Sequence, residues 1–248
     1  MSLPRFLVSP DSVRDGSATV AGPELAHMRK VLRLRPGSRV LLWDGEGTEH
    51  EALIRAYEGG VAAMTVVRSY RPERESPLAV TLAQAVGKGD KMDWIVEKAT
   101  ELGVTRVTPF FSSHTVPRFG GDKGERRRER WRKIAAAAAR QSGRTRIPEI
   151  DEPDRFDAIL DRDWRCDVRL FFWEDSQGRG LASLERELNS PRSVLVMVGP
   201  EGGFSGEEAA RAEARGFRTV GLGRRILRTE TAALAAVCAV QLLWGDLG

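Results

Sequence analysis

Cysteine is scarce in this chain. Only Cys166 and Cys238 occur in 248 residues, each within an apolar run, which excludes a disulfide framework and a cysteine-rich zinc site. The three histidines, His27, His50 and His114, are scattered without metal-ligand spacing, so no metal is expected. A Gly-x-Ser-x-Gly elbow is missing, and His114, in Ser112-Ser113-His114-Thr115, reads as a loop residue rather than a general base. No run approaches the roughly 18 apolar residues of a membrane span, and the N-terminal stretch lacks the apolar core of a secretory signal. The expectation is a cytoplasmic protein without a membrane partner. A reaction that asks the protein for placement and electrostatics fits this inventory better than hydrolysis.

The composition is that of a soluble globular chain, with 41% hydrophobic and 30% charged residues. Net charge is only +4, but it is unevenly spread. From Arg118 to Arg146, eleven Lys or Arg face three acids, a local +8 that leaves −4 for the remainder. A second cluster, Arg29, Lys30, Arg33, Arg35 and Arg39, contains no acid. Two concentrated basic regions suggest a polyanionic partner, although a basic helix run is often only a solvated face.

Residues 1–70 read as short strands separated by turn chemistry, with Asp44-Gly45 and Gly59-Gly60 between β-rich runs. One short helix interrupts them, opened by Pro23 and closed before Pro36-Gly37. This is a small β-barrel or sandwich. Arg71–Pro77 reads as a linker, and the domain division is set at 1–72 and 73–248. Beyond it, strands and helices alternate. Leu78–Val86, Val104–Phe111, Val168–Trp173, Ser193–Val198 and Phe217–Leu222 are the strands, apolar enough for a parallel sheet covered on both faces. Helices are expected over Asp90–Leu102 and Glu125–Gln141, and after Ser205, where Glu208 completes a capping box. The last helix, Thr231–Trp244, is apolar nearly all round and must be buried in a core or against a second subunit.

Two loops carry the chemistry: Val198-Gly199-Pro200-Glu201-Gly202-Gly203-Phe204-Ser205 and Leu222-Gly223-Arg224-Arg225-Ile226-Leu227-Arg228-Thr229-Glu230-Thr231-Ala232. Each follows a strand and leads to a helix, the place where open α/β domains bind ligands. Glycines there free the backbone to approach a ligand closely, although a tight strand-to-helix turn needs no ligand. Four charges in seven residues, Arg224, Arg225, Arg228 and Glu230, beside an apolar helix argue for use. No Gly-x-Gly-x-x-Gly occurs, since Gly221-Leu222-Gly223 runs on into Arg-Arg-Ile. Arg224 and Arg225 would suit a 2′-phosphate, so NADP stays as the alternative ligand.

These two loops closely resemble those of the bacterial family that methylates N3 of a uridine in 16S ribosomal RNA. Three further stretches do so too: His27–Leu34, Lys88–Val104 and Arg140–Pro148. The resemblance implies an α/β fold: a C-terminal parallel-sheet domain tied in a trefoil knot (the SPOUT type), behind a PUA-like N-terminal β-barrel that helps bind RNA. It implies a homodimer through the knotted domain, S-adenosylmethionine as cofactor, and 16S RNA or the small ribosomal subunit as partner. Carried onto this sequence, the cofactor contacts are Val198, Gly199, Pro200, Glu201, Gly202, Gly203, Leu222, Gly223, Ile226, Leu227, Arg228, Thr231 and Ala232. Arg228 is expected to stabilise charge developing on the uracil oxygens, unless it pairs with Glu230 to stiffen the loop. Glu201 or Glu230 would take the N3 proton or balance the sulfonium. Arg29, Arg33, Arg35, Lys88, Lys91, Arg140, Arg144 and Arg146 form the expected RNA track. Arg126–Arg130 reads equally well as a solvated helix face.

Overall fold

In the computed structural model, residues 3–116, 119–176, 180–188 and 190–248 are described, and Arg118, at the head of the basic run, lies outside them. Packing divides the chain into two units, Met1–Glu75 with Ala139–Ile147, and Ser76–Ala138 with Pro148–Gly248. The segment Ala139–Ile147 thus groups with the first unit, away from its neighbours in sequence.

The first unit is built on β1 (Arg5–Leu7), β2 (Val13–Arg14), β3 (Ser17–Val20), β4 (Arg39–Trp43), β5 (Glu49–Glu58) and β6 (Val61–Tyr70). They form one six-stranded sheet, ordered β1-β4-β5-β6-β3-β2 and antiparallel except where β1 lies beside β4. Gly59 and Gly60 join β5 to β6 with φ of 57° and 79°. That left-handed backbone matches the twist of the flanking strands and is open to glycine at little steric cost. Alternation along the strands sends Ala52, Ile54, Ala62 and Met64 to the inner side, where Phe6, Met28 and Leu42 join them, all at most 1% exposed. Pro23 stands in the first turn of α1 (Gly22–Ala26), which widens into a π turn over His27–Val31.

Charge ties the Ala139–Ile147 segment to this unit. Glu49, fully buried, accepts from Arg5 Nη2 at 2.8 Å and Arg74 Nη1 at 2.9 Å. Arg5 also donates to the carbonyls of Arg140 and Arg144, at 2.9 and 2.8 Å, and its guanidinium lies 5.0 Å over the Trp43 ring. Glu75 accepts from Arg144 Nη2 at 2.7 Å and Nε at 3.0 Å, and from the backbone N–H groups of Thr145 and Arg146 at 2.8 and 3.1 Å. Residues read as linker therefore hold a specific ion pair.

In the second unit, β7 (Ala79–Ala85), β8 (Arg106–Phe111), β9 (Glu149–Ile150), β10 (Asp154–Arg155), β11 (Val168–Phe172), β12 (Ser193–Val198) and β13 (Arg218–Val220) make a seven-stranded sheet. Every pairing is parallel, as the apolar runs required. The order is β10-β8-β7-β12-β11-β13, with β9 also on β8. From β7 the chain first builds outward to β8 and later returns to the other side with β11, β12 and β13. The carboxyl ends of β7 and β12 consequently flank a switch point of the sheet. Helices α2 (Lys91–Glu101), α4 (Phe156–Asp161), α5 (Leu181–Glu187), α6 (Gly206–Ala214) and α7 (Thr229–Trp244), with residues 122–138 of α3 (Asp122–Ser142), complete the unit. Phe110, Phe156, Phe171 and Phe204 form an aromatic core, with Phe171 and Phe204 centroids 4.1 Å apart.

The last helix has two different faces. Ala233, Ala236, Val237 and Val240 of α7 are fully buried within the unit, whereas Leu242 is 60% exposed. Gln241, also buried, donates from Nε2 to the Leu102 carbonyl at 3.0 Å and accepts from Ser76 Oγ at 2.7 Å. Among the described residues, no helix is long and apolar enough to cross a membrane.

The Glu75 cluster generates a stability prediction. Partial burial pulls the Glu75 carboxyl up, but the Arg144 guanidinium and the two backbone N–H groups outweigh it and hold it below its ordinary value of 4.5. A lowered carboxylate stabilises the fold above the unfolded-state value and loses that contribution as pH falls through the folded one. Glu75→Gln should lower stability by about 1–3 kcal/mol at neutral pH, and the gap from wild type should close on acidification below 4.5. Urea unfolding across that pH range measures it, and equal midpoints at pH 7 would refute it.

Candidate functional site

The turn Gly199–Gly203 leaves β12 between buried neighbours, Val198 at 2% and Phe204 at 5% exposure. Gly203 N–H donates to the Pro200 carbonyl at 3.0 Å and takes φ 66°, a left-handed conformation suited to glycine. A Cβ there would meet the Glu174 carboxylate. A Cβ on Gly199 would sit 3.1 Å from the Phe204 ring, and one on Gly202 would sit 3.0 Å from His114 Cβ. The backbone is thus drawn tight against its surroundings at three glycines. His114 Nδ1 lies 3.0 Å from the Gly202 carbonyl, which makes it a support of this turn, in keeping with its reading as a loop residue. Beyond Phe204 the capping box forms as the sequence spacing requires. Ser205 Oγ accepts from Glu208 N–H at 3.2 Å, and Glu208 accepts from Ser205 N–H at 3.0 Å. Glu208 also accepts from Ser113 N–H at 2.8 Å, so one buried carboxylate holds both loops.

A cleft opens between this turn and the second loop. Val198, Gly199, Pro200, Glu201 and Gly203 line one side, and Leu222, Gly223, Arg225, Ile226 and Leu227 the other, with Ala232 from the start of α7. Of the other expected cofactor residues, Gly202 stands against His114, while Arg228 and Thr231 are exposed and outside the lining. Sequence reasoning missed Phe172, which ends β11, Trp173 and Glu174 just beyond it, and Val220 of β13, while Thr229, within the second loop, lines the cleft too. The first three lie at and just beyond the end of an apolar strand, in a stretch with no recognisable motif.

The carboxylates share one cation. Lys91 Nζ lies 3.0 Å from Glu201 Oε1 and 3.3 Å from Glu230 Oε2, and Lys88 N–H donates to Glu201 Oε1 at 2.9 Å. Partial desolvation opposes ionisation of Glu201, but the Lys88 N–H, its own N–H and Lys91 hold the carboxyl below the usual range. Desolvation likewise pulls Lys91 down, and the two carboxylates overcome it and raise it. Both groups are charged at neutral pH. Glu230 therefore pairs with Lys91, and no ion pair of Arg228 with Glu230 is found among the described residues.

The expected RNA residues do not all share one environment. Arg29, Arg33, Arg35, Lys88 and Arg146 are exposed. Arg29 covers the Tyr57 ring at 5.2 Å, and Arg140 pairs with Glu24 at 3.3 Å. Arg144 differs from these: at 5% exposure its guanidinium is committed to Glu75. Lys91 is likewise committed, to the two carboxylates. In the Arg-rich helix, Arg128 binds the Ile150 carbonyl and Glu152, and Arg130 pairs with Asp93. No cluster of three or more metal-ligating side chains occurs among the described residues.

Comparison with known proteins agrees with this geometry. The family model for an RNA methyltransferase domain matches residues 74–241, and one for an RNA methyltransferase PUA domain matches residues 20–56. The ribosomal RNA small subunit methyltransferase E of Bacillus subtilis is 33% identical over 236 residues, 92% of each chain. That of Synechocystis is 30% identical, over 96% of this chain and 77% of its own. The crystal structure of the Neisseria gonorrhoeae enzyme of that name, bound to S-adenosylmethionine, superposes with a TM-score of 0.87 at 34% identity, over 100% of both chains. Fold and cleft therefore define an RNA methyltransferase with a PUA domain. Within that class, the chain belongs to the family of ribosomal RNA small subunit methyltransferase E.

Gly203→Ala tests the cleft. It forces an L side chain to φ 66° and displaces Glu174, a strain of about 1–2 kcal/mol. The expected result in calorimetric titration is at least tenfold weaker binding of S-adenosylmethionine. Gly206→Ala, with open space around its Cβ, should bind as wild type does.

Proposed function

We propose that this chain transfers the methyl group of S-adenosylmethionine to N3 of a uridine in 16S ribosomal RNA of the small subunit, in the cytoplasm. The observation that carries this reading is the cleft at the carboxyl ends of β11, β12 and β13, formed by two glycine loops in a chain of this family. The residues fit the group: a backbone pared to glycine at 199, 202 and 203, apolar walls from Leu222, Ile226 and Leu227, and carboxylates at hand. When bound, the cofactor supplies a methyl group on a sulfonium, ready for in-line transfer.

The protein's own residues do the rest by placement and charge. As the N3–H proton leaves, negative charge spreads onto O2 and O4 of the base. Arg228, exposed at the N-cap of α7 with a guanidinium of several donors, is the residue assigned to meet it. Glu201, already accepting from Lys88 N–H and Lys91, is kept ionised and orients this side of the cleft. Glu230, whose only ionic partner among the described residues is Lys91 at 3.3 Å, is assigned to take the proton. The cations that would meet phosphate are Arg29, Arg33, Arg35, Arg140 and Arg146 in the first unit and Lys88 in the second.

Three finer features belong to the same reading. The six-stranded sheet of residues 1–72 is the PUA-like barrel that helps bind RNA. The domain over 73–248 is threaded as a SPOUT-type trefoil knot, which the placing of β11 between β12 and β13 supports. Two copies pair through the outer face of α7, where Leu242 at 60% and Trp94 of α2 at 43% stand exposed.

Incubation with S-adenosylmethionine and 16S RNA or small subunits, followed by nucleoside mass analysis, should yield N3-methyluridine. Arg228→Ala should lower kcat about 100- to 1000-fold with cofactor affinity retained. A normal rate would end the catalytic assignment, and binding of NADP instead would end the methyltransferase reading. Sedimentation should find a dimer that Leu242→Glu converts to monomer; a monomeric wild type would overturn the pairing.

A further inference from the structure

We infer that Gln84 and Thr229 are positioning residues that set the cofactor turn through a single carbonyl, that of Gly199. Gln84 sits in the middle of the parallel sheet, at 0% exposure, paired in register with Val198 on β12. Its amide Nε2 donates to the Thr229 hydroxyl at 3.0 Å and to the Ala85 carbonyl at 2.9 Å, with the Gly199 carbonyl 3.4 Å away. Thr229 Oγ1 in turn donates to the Gly199 carbonyl at 2.5 Å and is itself 4% exposed. Three elements meet here: β7, the exit of β12 and the first residue of α7.

The reason to read this as a device lies in what surrounds it. The neighbours of Gln84 on β7, Leu82, Ala83 and Ala85, are all apolar and fully buried, so an apolar residue would suit the strand better. Instead an amide is buried whose Oε1 has no hydrogen-bond partner among the described residues. Such an arrangement is disfavoured unless the donor it places is needed. Gly199 shows the need. The peptide that follows it ends on the nitrogen of Pro200, which carries no N–H, so the Gly199 carbonyl is the only polar handle on that peptide plane. Glycine itself offers no side chain to fix it. Whatever holds that oxygen sets the direction in which the chain enters the turn that carries Glu201 and Gly203. Since the oxygen is held by the first residue of α7, the bond also couples the turn to the helix that presents Arg228 and Glu230.

This inference rests on the cofactor reading of the cleft, and its test separates the two. Gln84→Met keeps shape and removes the donor; Thr229→Val keeps shape and removes the hydroxyl; Thr229→Ser restores the hydroxyl on a smaller side chain. Calorimetric titration with S-adenosylmethionine, and KM and kcat for methyl transfer, are measured on the full chain well below each variant's unfolding midpoint. Gln84→Met and Thr229→Val should each raise Kd and KM for the cofactor at least tenfold, with KM for RNA unchanged. The double variant should lose no more than Thr229→Val alone, because both act on one oxygen, and Thr229→Ser should stay within about threefold of wild type. Variants that lower the unfolding midpoint but keep wild-type cofactor affinity would show a purely structural role and overturn the inference. A wild-type chain that does not bind the cofactor, with or without RNA, would instead overturn the function on which it rests.

Discussion

Val198 and Phe204 flank the five-residue turn Gly199–Gly203, and both are buried. The cleft depends on that pair of anchors, because everything between them is glycine, proline or a solvent-reaching glutamate. Burying one phenylalanine contributes about 1.5–3 kcal/mol, and its packing against Phe171 adds about 0.5–1.5. Ordering each turn residue costs about 1–2 kcal/mol, so the anchor alone does not hold five of them. The remainder comes from local bonds: Gly203 N–H to Pro200, His114 beside the Gly202 carbonyl, and Thr229 on the Gly199 carbonyl. The turn is rigid by combination, and each contribution is small enough to be removed singly.

Charge is sorted in this molecule by where it is neutralised. Arg5, Arg74 and Arg144 are spent inside the first unit on Glu49 and Glu75, and there they hold the Ala139–Ile147 segment. Arg128 and Arg130 meet acids on the surface of the second unit, where such pairs are worth little each. Arg224, Arg225 and Arg228 differ from both groups, being exposed and without an ion pair among the described residues. They stand on the loop beside the cleft, where uncommitted positive charge attracts a polyanion.

Lys91 illustrates how a charge changes meaning with its surroundings. Read in the string Lys88-Gly-Asp-Lys91, it is one more cation for a phosphate track. At the start of α2 it reaches Glu201 from one loop and Glu230 from the next, so its charge is used within the site. The same cation leaves the two carboxylates apart in role, Glu201 bonded twice and Glu230 reached only by a long contact.

The sequence by itself determined the parallel sheet, the glycine turn, the capping box at Ser205 and the apolar last helix. Each of these is a local or periodic property: apolar runs six to nine residues long, glycines at adjoining positions, a serine three residues before a glutamate. Five motifs sufficed for the family. Tertiary structure alone decided the rest, because those choices depend on which strands become neighbours. Gln84 has no local signature, yet β7 beside β12 brings its amide to Gly199, more than a hundred residues away. Arg144 stands in a basic run, yet the fold sets Glu75 against it, and Trp173 and Glu174 join the cleft only because β11 lies between β12 and β13. Hydrophobic periodicity reports which face of an element is buried, and it carries no information on the partner that a buried polar group will meet.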